Sequence, residues 1–171
     1  MKHITNFFNS SSASCLPFGK LYLGVMIILI ILSPLSLHAQ TAAEMDTLLQ
    51  TEALSIAQTA RFILGSRDLI SQGLFGDEAE HAAYEFARSR GWVSKQANQA
   101  ATLEDTAFLI MNAFEIRGGL MYRLFSNHRY AFRELIYLKL IEGRAYPQMT
   151  VSGSRLLQII TRTLVYTGET E

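Results

Sequence analysis

The chain has 171 residues, enough for one ordinary domain, and sets 15 basic against 15 acidic side chains. That balance removes any electrostatic case for a nucleic-acid partner. A single cysteine, Cys15, excludes a disulfide framework.

In chain order, the N-terminal segment comes first. Lys2 and Lys20 precede an unbroken apolar run from Leu21 to Leu32; Ser33-Pro34 ends it, and Leu37-His38-Ala39 follows. A positive start, a short apolar centre and a small residue at the end are the parts of a secretory signal. Cleavage is expected after Ala39, leaving Gln40 first, although Leu37 fits its place before the cut less well than alanine would. The alternative is an uncleaved anchor: residues 21–37 form 17 uncharged positions, near the roughly 20 that a spanning helix needs, but Pro34 interrupts them. Cys15 lies ahead of the run, where a lipid-acceptor cysteine would follow it. Loss of residues 1–39 takes Lys2 and Lys20 and leaves 13 basic against 15 acidic side chains, a net of −2. The expected location is the periplasm or cell envelope of a bacterium, with a membrane involved only if the apolar run is retained.

Beyond the signal, apolar residues recur at three and four, which predicts helices near 42–51, 53–65, 78–90, 103–116, 128–141 and 152–166. Glycines divide them: Gly65, Gly73 and Gly76, Gly91, Gly118-Gly119, Gly143 and Gly153. Thr102 with Asp105 resembles a capping box, and Ser152 suits an N-cap. Gly91 after Arg88 and Arg90 suits a helix stop. Leu103, Ala107, Phe108, Met111 and Phe114 form one stripe, and Leu156, Leu157, Ile160 and Leu164 another. The segment 130–141 is apolar on several sides, so its helix is expected to be central or covered by a partner.

A repeat is visible in this layout. Ala82 to Val93 aligns with Ala131 to Glu142, so that Glu85 meets Glu134, Phe86 meets Leu135 and Trp92 meets Ile141. After one deletion, Leu103 to Leu109 aligns with Val151 to Leu157, and Leu54 to Ala60 matches the second helix of an earlier copy. The domain expected is residues 40–171, with units at about 42–65 (partial), 78–116 and 127–166.

This unit resembles the S-layer homology repeat, in which a first helix, a Gly-bearing turn and a loop lead into a second helix. The match is best in Tyr130-Ala131-Phe132-Arg133-Glu134-Leu135, Leu140-Ile141-Glu142-Gly143-Arg144 and Pro147-Gln148-Met149-Thr150-Val151-Ser152. The resemblance implies an all-α fold of tandem helix-turn-helix repeats packed as a small pseudo-threefold bundle. The family's Thr-Arg-Ala-Glu motif is replaced by Leu103-Glu104-Asp105-Thr106 and Val151-Ser152-Gly153-Ser154. Its arginine, which in the family helps hold an acidic wall sugar, has no counterpart here.

Catalytic groups are scarce. After the signal the chain keeps only His81 and His128 and no thiol, and no phosphate loop, nucleophile elbow or zinc-protease motif occurs. His81 and Glu85 sit four apart with Glu78 and Glu80 nearby, too few for a metal cage and well suited to an acidic first helical turn. No enzyme, cofactor or metal is therefore expected. The stretch from Arg117 to Arg133 stands out, with Arg117, Tyr122, Arg123, His128, Arg129, Tyr130 and Arg133. Arginine forks grip anions and tyrosines stack on sugars, so this is the expected ligand or partner surface, with Arg144 and Trp92 as neighbours. The plain alternative makes Tyr122, Phe125 and Tyr130 core and the arginines its rim. The expected function is a non-catalytic envelope module that binds a cell-wall glycan or an envelope protein; the rival is a periplasmic adaptor making only protein contacts.

Overall fold

Seven helices make up the described part of the chain. The structure, a computed structural model, describes residues 44–71 and 73–168; the expected signal, residues 1–39, lies outside them. The helices are α1 (44–50), α2 (Ile56–Gly65), α3 (Gly76–Ser89), α4 (Leu103–Ala113), α5 (Leu120–Leu124), α6 (His128–Tyr137) and α7 (Gly153–Thr167). Among the described residues there is no strand, only isolated antiparallel bridges joining Ser55 to Ala100 and Thr102 to Thr150. None of these helices is long and apolar enough to cross a membrane.

The starts of α2, α4 and α7 follow one plan. Each helix is preceded by a buried apolar residue and a hydroxyl N-cap: Leu54-Ser55, Ala101-Thr102 and Val151-Ser152. Ser55 accepts from the Gln58 amide at 3.1 Å, and Ser152 from the Arg155 amide at 3.4 Å. The Asp105 carboxylate accepts from the Thr102 amide at 3.0 Å, the reach-back expected of that cap. These three junctions are tied to one another in a closed cycle. Leu54 N–H donates to the Val151 carbonyl at 2.9 Å, Val151 N–H to Ala101 at 3.1 Å, and Ala101 N–H to Leu54 at 2.8 Å. A second set lies two residues on, with Ile56 N–H donating to Gln99, Leu103 to Met149 and Gly153 to Thr51 at 2.9–3.0 Å. Extended segments buried at the centre need partners for their amides, and here each supplies the next.

Helix ends also follow one plan. Leu69 N–H donates to Leu64, Trp92 to Ala87, Ile116 to Met111 and Leu140 to Leu135, all at 2.9–3.0 Å. The residue before each donor has positive φ: Asp68 51°, Gly91 70°, Glu115 51° and Lys139 58°. This is the six-to-one closure that satisfies a helix's last carbonyls. It stops α6 at Tyr137, where periodicity predicts continuation to 141, and α4 at Ala113 rather than 116.

These shared stops and caps correct the internal alignment. Gly91 and Lys139 hold the same stop, so the pairing of Ala82 with Ala131 is one residue out of step. Thr102 and Ser152 hold the same cap, so Leu103 corresponds to Gly153, two residues from the Val151 that the sequence pairing gives. Alanine and glutamate recur along every amphipathic helix, so identity alone does not fix register; backbone hydrogen bonds do.

The core centres on α4, in which every residue except Glu104 and Asn112 is buried. It packs on α6 and touches α2, while α2 packs on α3 and α5 on α6. Of the two expectations for 130–141, central in the domain or covered by a partner, the first is corrected here. Helix α6 buries Ala131, Phe132 and Leu135 but leaves Ile136 40% and Tyr137 80% exposed. The cluster of buried apolar side chains runs from Leu48 to Ile160 within the compact unit Ala43–Glu171, so that unit has a core of its own.

Candidate functional site

The chain between α4 and α6 builds the most distinctive surface. After Ile116 is anchored, Arg117-Gly118-Gly119 turns the backbone into α5. A Cβ at Gly118 would lie 2.8 Å from the Tyr122 ring and 2.9 Å from the Met111 methyl. The turn is thus pressed against Tyr122, which is 7% exposed. Burial raises the Tyr122 phenol above its ordinary pKa, and hydrogen bonds with Ser126 and Asn112 pull partly against that. Tyr122 is a pillar between α5 and the core, where the sequence places it in a ligand surface.

Helix α6 starts at Asn127, whose side chain accepts from the Tyr130 amide at 3.0 Å. His128 stacks on Phe108 at 4.4 Å between centroids, and Tyr130 on Phe125 at 5.9 Å. His128 is therefore half-buried packing, while Tyr130 keeps an accessible edge. Arg117, Arg123, Arg129 and Arg133 are all exposed. A groove of about 400 Å³ lies between α5 and α6, lined by Leu120, Met121, Tyr122, Tyr130, Arg133, Glu134 and Tyr137. The Glu134 carboxylate lies against Gly119, 3.2 Å from where a Cβ would stand. Of the expected residues, Tyr122, Tyr130 and Arg133 come together here. Arg117 lines an adjoining hollow that shares Gly119 and Glu134.

Arg144 and Trp92 do not line this groove. Arg144 lies over Tyr146, 5.5 Å from its centroid, and lines a separate hollow with Arg155. Trp92 packs edge-on to Phe86 at 5.9 Å, and the Arg90 guanidinium lies 4.4 Å from the Phe86 centroid. Tertiary packing places both away from the groove.

A smaller hollow of about 220 Å³ between α1, α2 and α3 has no counterpart in the sequence reading. Glu44, Gln58, Arg61, Phe62 and Glu80 line it. Arg61 pairs with Glu44, which also accepts from the Gly76 amide at 3.0 Å. Burial raises the Glu80 pKa; the Arg61 charge lowers it, Asp77 raises it, the Gln58 hydrogen bond lowers it and Glu44 raises it. The available sequence signal was Arg61 itself, the one charged residue in α2.

The groups that could do chemistry are otherwise engaged or dispersed. Asp105 is buried and takes hydrogen bonds from Thr102 at 2.6 Å and Lys95 at 2.5 Å. His81 and Glu85 are exposed on α3, and among the described residues no three His, Cys, Asp or Glu side chains gather as a metal site. Comparison with protein-family models, curated proteins and solved structures finds no match to this chain.

Proposed function

We propose that residues 40–171 form an exported, non-catalytic module of three helical units that binds a component of the bacterial cell envelope. The carrying observation is the α5–α6 groove, where Tyr130 and Tyr137 stand beside Arg133 and within a row of exposed arginines. Tyrosine faces stack on sugar rings and guanidinium forks bind carboxylates, so an acidic wall glycan is the first ligand to test. The closed cycle joining Leu54, Ala101 and Val151 supports the three-unit reading and with it the likeness to the S-layer homology repeat. Residues 40–171 should sediment with insoluble wall sacculi, and Arg133→Ala with Tyr137→Ala should cut the bound fraction about tenfold at unchanged helicity. No enrichment over a control protein would sink glycan binding. The adaptor reading is the second one, and the exposure of Ile136 and Tyr137 on α6 favours it. Copurification of a stoichiometric protein partner would decide for it.

A further inference from the structure

Sugar stacking on the groove's tyrosines does not use the large apolar side chains beside them. Leu120, Met121, Leu124 and Phe125 are 57–68% exposed. Helix α5 turns Tyr122 to the core and leaves Leu120, Met121 and Leu124 outside, and Phe125 is exposed at its C-cap. Large aliphatic side chains gain nothing from a hydrated sugar, and a cluster of them on the outside of a domain marks a contact with something apolar. The same segment is strongly one-sided in charge. Residues 117–133 contain Arg117, Arg123, Arg129 and Arg133 and no acid, in a chain whose 15 basic and 15 acidic side chains balance overall. All four arginines are exposed, and Arg129 and Arg133 are one helical turn apart on α6.

An exposed apolar cluster in a stretch that carries four exposed arginines and no acid is complementary to an anionic bilayer surface, where phosphates lie directly above acyl chains. We infer that α5 seats this domain on an anionic phospholipid surface. Leu120, Met121, Leu124 and Phe125 enter the boundary between headgroups and acyl chains, and the four arginines meet the lipid phosphates. A soluble acidic protein would satisfy the arginines, but it would not require four large apolar side chains exposed within residues 120–125. This contact does not depend on the N-terminal apolar run. It goes beyond the glycan reading: it shares Leu120 and Met121 with the groove but adds Leu124, Phe125 and a different ligand.

The test is co-sedimentation of residues 40–171 with vesicles of phosphatidylglycerol and phosphatidylcholine in equal parts, against pure phosphatidylcholine. Omitting residues 1–39 keeps the signal run from binding lipid itself, and the compact unit from Ala43 onward retains its core. Binding is expected to the anionic vesicles, falling about fivefold for each of Arg123→Ala and Arg129→Ala and falling with added salt. Leu124→Asp with Phe125→Asp should abolish it while circular dichroism stays unchanged, because both side chains are on the surface. Phe125→Trp provides a second readout: its emission should shift to the blue with anionic vesicles and stay put with phosphatidylcholine. No binding to anionic vesicles, or binding that survives the two aspartates, overturns the inference. Sacculus sedimentation of the same variants separates the two readings. Pelleting with sacculi but not with vesicles overturns lipid seating and leaves glycan binding standing. Pelleting with vesicles alone supports lipid seating and removes the glycan.

Discussion

Polar side chains inside this domain divide into those that are satisfied and those that are not. Asp105 has three donors, from the Thr102 amide and hydroxyl and from Lys95. Thr59 and Thr106 are fully buried, and their hydroxyls have no partner. They hold the same place in α2 and α4, four residues past the N-cap, that Leu156 holds in α7. Glu80 is the residue whose environment makes a pH prediction. Its folded pKa is raised, chiefly by burial, so its stabilising effect is complete below the unfolded value and is lost as pH rises through the folded one. Glu80→Gln should therefore raise the urea midpoint at neutral pH and leave it nearly unchanged at about pH 4, near the ordinary glutamate value. Equal effects at both would show that the carboxylate is not destabilised by its surroundings.

Among the elements, the helix stops are the informative feature. Four helical ends use a residue of positive φ followed by an apolar anchor, and only one of the four is glycine. A side chain in the left-handed region costs roughly 1–2 kcal/mol, less the greater entropy that glycine loses on folding. Lys139 and Glu115 are both exposed, so neither side chain is part of the core. Lys139→Gly should stabilise the domain by about 0.5–1 kcal/mol in urea unfolding, and Glu115→Gly by a similar amount. Stops of this kind also explain why helix existence was legible in the sequence and helix ends were less so. Gly91 announces its stop by residue type. Asp68, Glu115 and Lys139 do not, and the apolar residues Ile116, Leu140 and Ile141 beyond two of these stops read as further helix because they too are buried. Helix α5 was missed for the opposite reason: its apolar residues face outward, and with only five residues it shows no period.

At the scale of the whole molecule, closure depends on one glycine. Gly153 is the first residue of α7 and is buried, where Ile56 and Leu103 hold the corresponding places in α2 and α4. The position of a Cβ at Gly153 is already taken by the Leu48 carbonyl at the end of α1. Gly153 also donates to Thr51 at 3.0 Å, completing the second set of ties. The end of α1 and the start of α7 meet there backbone to backbone. Gly153→Ala should cost about 3 kcal/mol, because backbone rather than a flexible side chain must yield. Ser154→Ala, next to it and exposed, should stay within about 0.5 kcal/mol. A small effect at Gly153 would mean that α1 can retreat without loss.

Taken alone, the sequence determined that this domain is helical, where most helices lie, that Thr102 and Ser152 cap and Gly91 stops, and that Arg117 to Arg133 carries an unusual mixture of charge and ring. Those properties are local, set by periodicity and by what one residue can do for the backbone beside it. Tertiary structure decided the rest: that α4 and not the 130–141 segment is central, that Tyr122 and His128 are packing while Tyr130 and Arg133 share a groove, that Trp92 and Arg144 belong elsewhere, and that Gly153 marks a close approach rather than a turn. Each of these depends on which surfaces meet across the cycle of hydrogen bonds joining residues far apart in the chain. Apolar side chains have the same composition whether they face a neighbouring helix or water, and only the packing distinguishes the two.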